Sequence, residues 1–169
     1  MTYTFKKHLH NYSCWTAARA VQRNFTTTDK IIQSIEASDL MKFEVLQIQS
    51  AIDYDGFHSR CCNQIIDYFK NNLNIDASYG RAAKIVAIYL KTSVIIKYSG
   101  EGLLAEVIHP PIDRILLTNL HRDNKGLNLL ERPWTLLNEK EYFELINKLR
   151  TFNLNRFWML EEFWDAKKD

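Results

Sequence analysis

Two lysines and an aspartate are the residues of this chain best suited to do chemistry. Lys84 and Lys91 stand seven apart in the run Ser78-Tyr79-Gly80-Arg81-Ala82-Ala83-Lys84-Ile85-Val86-Ala87-Ile88-Tyr89-Leu90-Lys91. Seven residues make almost two helical turns, so both amines project from one face, about 10 Å apart. Arg81, three before Lys84, joins that face. Burial or a cationic neighbour lowers a lysine's pKa toward the neutral amine, which is the form that attacks an electrophilic carbon. Asp113 follows Pro110-Pro111-Ile112 at the start of another helix. There a carboxylate stays ionised and can stabilise developing positive charge. The competing reading makes Lys84 and Lys91 a solvated helix face and Asp113 a plain helix-starting charge.

These residues need elements to hold them. Gly80 beside Tyr79 permits a tight turn before the lysine helix, whose first backbone N–H groups can hold a phosphate. Ser78 or Asp76 caps that helix, which runs through Arg81 and Lys84 to about Ile96. Ala82, Ala83 and Ala87 are small and let another helix approach closely. Pro110 and Pro111 stop whatever precedes them. Pro111 then sits in the first turn of a helix from Ile112 to about His121. The remaining chain reads as more helices. One spans about Tyr12 to Arg23 after a loose lead-in over 1–10. A second is capped within Thr26-Thr27-Thr28-Asp29 and carries Ile31, Ile32 and Ile35. A third starts at Ser38-Asp39 with Leu40, Phe43, Leu46 and Ile48 inward. Asp53 to Gly56 reads as a turn before a helix from Phe57 to Asn72. Asn138 and Glu141 have capping-box spacing, and 153–165 reads as a final aromatic helix.

The expected fold class is therefore all-α: a single orthogonal domain over 1–169 with about eight helices and almost no strand. Only 5 Gly and 3 Pro are present among 169 residues, too few for the turns of an all-β fold. An apolar share of 46% with 12% aromatic suits a folded globule rather than a disordered chain. Cys14, Cys61 and Cys62 match no zinc spacing and read as buried thiols in a reducing cytosol. No segment has the length of apolar residues that a membrane span needs. The expected setting is cytoplasmic, with no membrane partner, no metal and no cofactor. A net charge of +2 neither requires nor excludes a nucleic-acid partner, because DNA binding depends on a local basic face.

The order of turn, lysine-bearing helix, loop and Pro-apolar-Asp helix start resembles the helix-hairpin-helix DNA glycosylase superfamily, most closely its archaeal 8-oxoguanine glycosylase branch. In that branch the helix reads roughly Lys-Thr-apolar-apolar-Phe-Ala-apolar-Lys. Lys84-Ile85-Val86-Ala87-Ile88-Tyr89-Leu90-Lys91 has the same lysine spacing, and Pro111-Ile112-Asp113 the same approach to the aspartate. Here the hairpin signature is reduced to Gly80, and Ile85 stands where the threonine is usual. The resemblance implies Lys84 as nucleophile and Asp113 as catalytic carboxylate. It also implies DNA contacts from Gly80, Arg81, Lys91 and Arg114. Such an enzyme rotates a damaged purine out of the stack, and the lysine attacks the sugar carbon as the base leaves.

Trp15 and Trp158 are the weaker candidates, as stacking surfaces for an extruded base. Each reads equally as a core aromatic. His109 before the two prolines reads as a loop residue, and His8, His10, His58 and His121 show no metal spacing. Two rival functions share the sequence. One is a helical nucleic-acid-binding module without the chemistry, which needs only a basic face through Arg81, Lys91 and Arg114. The other is a protein-interaction module, which needs an exposed apolar patch.

Overall fold

Thr4, Thr27, Ser50, Ser78, Asp113 and Asn138 each adopt extended backbone and turn a side-chain oxygen onto the backbone N–H three residues on. Each satisfies one of the donors that a helix start leaves orphaned. In a computed structural model of the chain, which describes residues 2–45, 48 and 50–165, these caps open the main helices. They are α1 (Phe5–Val21), α2 (Thr28–Glu36), α3 (Ala51–Leu73) and α4 (Tyr79–Leu90), then α6 (Arg114–Asp123) and α7 (Glu139–Arg150). A short α5 (Leu103–Val107) follows Gly102, which lies at φ +95°. Tight 3-10 segments cover Asp39–Val45, Lys125–Leu127, Trp134–Leu136 and Phe157–Phe163. Asn138 and Glu141 form the expected capping box. The fold is all-helical, with no strand among the described residues.

Four features differ from the sequence reading. The lead-in is helical from Phe5, because Thr4 Oγ1 accepts from Lys7 N at 3.2 Å and starts α1 early. The expected turn at Asp53–Gly56 lies inside α3. Ser50 caps that helix, and it buries Tyr54, Phe57, His58, Cys61, Cys62, Ile65 and Phe69 along one face. Burial of that stripe outweighs the roughly 1 kcal/mol helix penalty of one glycine. The tail forms a 3-10 segment rather than an α-helix, and α6 begins after Asp113, leaving Pro111 and Ile112 in the approach. Leu46, expected inward, lies outside the described residues.

α4 occupies the middle of the molecule. It packs along α1 and α3 and also meets α7 and the 134–136 segment. Ala82, Ala83 and Ala87 are at most 1% exposed, which fits small side chains at close helix contacts. The helix then widens into a π-helical stretch, Lys91–Ile96, which ends at Ser99 and Gly100 in the left-handed region. Gly100 N donates to Ile95 O at 2.7 Å. All three cysteines are free and buried, and no helix is long and apolar enough to cross a membrane.

Candidate functional site

Because α4 is central, a lysine on it has to be buried or to snorkel. Lys84 is buried, at 8% exposure. Its Nζ lies 3.2 Å from Asp113 Oδ2 and 4.5 Å from the centroid of the Trp134 ring. Asp113 is fixed by its role as the cap of α6, since its Oδ1 accepts from Leu116 N at 3.0 Å. Its Oδ2 also accepts from Trp164 Nε1 at 2.9 Å. The carboxylate thus has an amine, an indole and a backbone N–H as partners. That satisfaction is what a charge pair needs when it leaves water.

Gly80 positions the far wall. Its N–H donates to Leu137 O at 3.0 Å, and a Cβ there would meet Trp134 O at 1.8 Å. Only glycine lets the 134–137 segment lie this close to the first turn of α4, and that segment brings Trp134 to Lys84. The N–H groups expected to be free for phosphate are engaged instead, that of Arg81 by Ser78 Oγ at 3.3 Å. Ser78 itself donates to Thr135 O at 2.7 Å, a second tie between this helix start and the Trp134 segment.

Burial lowers the Lys84 pKa from its ordinary value, and the Asp113 carboxylate opposes that shift. The cationic neighbours expected to do this are turned elsewhere. Arg81 stacks its guanidinium over the Phe25 ring at 4.6 Å, and Lys91 is ion-paired with Glu161. Desolvation, rather than like-charge repulsion, acts on Lys84. A buried amine beside a carboxylate can give up its proton to that neighbour, attack a carbon electrophile as the free base, and form a Schiff base.

Arg114 is exposed beside Asp113 and lines a cleft of about 570 Å³ with Thr118, Leu130, Arg132, Trp134 and Thr135. This cleft and Lys84 share the Trp134 side chain. Arg132 is also held by Glu141. The two stacking candidates part company. Trp158 donates to Gly100 O at 3.3 Å and packs against that glycine, where a Cβ would meet its ring at 2.5 Å. Trp15 is 48% exposed and stacks on Tyr12 with centroids 5.8 Å apart.

Trp134 is not singled out in the sequence, and Trp164 reads there only as a core aromatic of the final helix. Trp134 reaches the pair from a 3-10 segment and Trp164 from the residue that follows one, where it is 43% exposed. His109 lies in the irregular segment between α5 and α6, a loop residue as the sequence reads, but it is fully buried. Its Nε2 lies 2.9 Å from Asp55 Oδ1, its Nδ1 lies 3.1 Å from the Tyr142 hydroxyl, and Arg150 clasps Asp55 at 2.6 and 2.9 Å. His58 stacks on Tyr142 beside it, 4.7 Å from the His109 ring. Burial pushes both imidazoles below their ordinary pKa. Burial works to raise the Asp55 carboxyl, but the His109 and Arg150 hydrogen bonds outweigh it and hold it at about 2. This network ties α3, α7 and the approach to Asp113 together, so it supports the site without facing it.

Comparison of the chain with family models, with curated proteins and with solved structures returns no match.

Proposed function

We propose that this chain is a DNA glycosylase-like base-excision enzyme, with strand-cleaving lyase activity at damaged purines. The observation that carries the reading is the buried contact of Lys84 with Asp113 across 29 positions of sequence. In this reading α3, the turn at 74–78 and α4 form the hairpin of a helix-hairpin-helix scaffold. The cleft behind Trp134 receives the extruded base, and Arg114 at its edge meets a phosphate.

The chemistry balances on the residues present. Lys84 passes a proton to Asp113 or to water and attacks C1′ of the deoxyribose. The glycosidic C1′–N bond breaks, and the purine leaves with the bonding pair and takes up a proton. Ring opening converts the C1′ amine into an iminium. Loss of a C2′ proton then expels the 3′ phosphate and cuts the strand. Asp113 supplies negative charge opposite the cationic sugar as the base departs. Trp164, 43% exposed, covers the carboxylate, and the substrate has to displace it.

A binding module without chemistry is the second reading. It is favoured by the closure of the cations: Lys84 by Asp113, Lys91 by Glu161 and Arg81 by Phe25. In that case the ion pair only holds α4 to α6. Borohydride trapping separates the two. Incubation with a duplex carrying 8-oxoguanine or an abasic site, under cyanoborohydride, yields a covalent protein–DNA adduct if Lys84 is a Schiff-base nucleophile. Absence of an adduct on both substrates supports the binding module.

A further inference from the structure

The last 3-10 segment, Phe157–Phe163, ties the end of α4 to α6. Its first half is anchored in the core, with Phe157 and Leu160 buried. Its second half carries polar ties. Glu161 is ion-paired with Lys91, at the end of α4, and Asn119 on α6 donates to Phe163 O at 2.9 Å. Glu161 and Trp164 stand three apart, and Trp164 N donates to Glu161 O at 2.9 Å. In 3-10 geometry residues three apart lie on one face. A single turn therefore brings the Glu161 carboxylate to Lys91 and the Trp164 indole to Asp113 Oδ2.

Both contacts are exchangeable. Trp164 is 43% exposed, so its indole N–H can trade the Asp113 bond for one to water at small net cost. The Lys91 side chain is 35% exposed, within reach of a ligand from solvent, whereas that of Glu161 is 15% exposed. Burial pushes the Glu161 carboxyl above its ordinary range; Lys91 opposes that shift and the Asp113 charge adds to it. Lys91 is thus paired with an anion that is costly to hold there. A phosphodiester offers the same cation two charged oxygens and keeps its charge where a carboxyl begins to take up a proton.

We infer that residues 161–164 are an autoinhibitory latch: Glu161 holds the place of a DNA phosphate on Lys91, and an arriving phosphodiester exchanges for it and draws the Trp164 indole off Asp113. Its ligand rests on the base-excision reading of Lys84 and Asp113. The latch couples binding at Lys91 to the opening of the Lys84 site, so the amine is uncovered only once the backbone of the substrate is in place.

Reductive methylation reads the latch without DNA. Formaldehyde condenses with a neutral lysine amine to an imine with loss of water, and hydride from cyanoborohydride reduces the imine to a methylamine. Peptide mass spectrometry follows Lys84 against Lys140, whose side chain is 86% exposed. Trp164→Phe and Glu161→Gln are expected to speed Lys84 methylation several-fold while Lys140 keeps its rate. Fluorescence anisotropy with an undamaged duplex reads the exchange on Lys91. Glu161→Gln is expected to tighten binding roughly tenfold, the scale of one charge-assisted contact. It should also steepen the salt dependence by about 0.9, because no displaced carboxylate takes up a cation. Glu162→Gln makes the same charge change at an exposed neighbour and is expected to do neither. An unchanged Lys84 rate in both variants would overturn the latch. So would a Glu161→Gln affinity no tighter than the parent's, or an equal gain in Glu162→Gln. No adduct on damaged DNA, with these shifts present, would defeat the base-excision chemistry and leave the latch standing over a binding site. An adduct with the shifts absent would do the reverse.

Discussion

The Lys84 amine and the Asp113 carboxylate meet at 3.2 Å because one sits on the central helix and the other caps the helix that approaches it. The cap holds the carboxylate in place for the amine, because Asp113 Oδ1 accepts from Leu116 N while Oδ2 faces Lys84. Under the proposed chemistry, Lys84→Gln abolishes the borohydride adduct and strand cleavage. Gln keeps the chain length and nearly the same helix propensity. DNA affinity, measured by fluorescence anisotropy, is expected to stay within a few-fold, because the amine lies inside the site rather than on a phosphate. A large loss of affinity, with no adduct from the parent protein, would make Lys84 a phosphate contact.

Asp113 has two duties that two substitutions separate. Asp113→Asn keeps an N-cap acceptor for Leu116 N but removes the charge opposite Lys84. Asp113→Ala removes both and leaves a buried ammonium alone, which is expected to destabilise the fold by about 3–5 kcal/mol. The asparagine variant should lose less, by about the worth of a cap, roughly 1 kcal/mol. Urea unfolding of both variants reads the difference. Equal midpoints in the two variants would show that the cap contributes nothing, and midpoints unchanged from the parent protein would show that the charge contributes nothing either.

Acid should weaken the fold before any carboxylate is titrated. The folded-state pKa values of His58 and His109 are lowered, chiefly by burial. The unfolded chain therefore binds the extra protons first, from its ordinary pKa of about 6.5. A group of this sign contributes stability that is complete above about pH 6.5 and is lost as pH falls from there toward the folded pKa. Asp55, held at about 2, adds a second loss of the same sign below the ordinary carboxylate range. Thermal unfolding from pH 8 to pH 5 should show a falling midpoint beginning near pH 6.5. His58→Phe, which keeps the stacking on Tyr142, should flatten that slope. An unchanged midpoint down to pH 5 would contradict the buried neutral imidazoles.

Two glycines in helices should respond oppositely to alanine. At Gly56 a Cβ meets nothing within 4 Å, and the residue lies inside α3, so Gly56→Ala should stabilise by about 1 kcal/mol. At Gly80 a Cβ meets Trp134 O at 1.8 Å, so Gly80→Ala forces the 134–137 segment away, at a cost of about 1–3 kcal/mol or more. It should also release Trp134 from Lys84, visible as a change in tryptophan emission. Equal thermal shifts in the two variants would rule out the close approach.

Helix starts were legible in the sequence because capping is local: Thr27, Ser78, Asn138 and Asp113 each need only the N–H three residues on. The all-helical class followed from periodicity and scarce Gly and Pro for the same reason. The choice of Lys84 and Asp113 came from spacing and resemblance, and their 3.2 Å contact came from the tertiary structure. What each charge does was decided only in three dimensions. Arg81 and Lys91 have the spacing of a shared face with Lys84, yet Phe25 and Glu161 take them. His109 has the local sequence of a surface loop, yet Asp55 and Tyr142, from distant helices, bury it. Trp134 reaches the site from a short 3-10 segment with no periodic signal, and Trp164 from a tail whose aromatic pattern reads as a helix but folds as a 3-10 segment. Burial and charge pairing depend on whichever distant side chain arrives, and spacing along one helix carries no information about that.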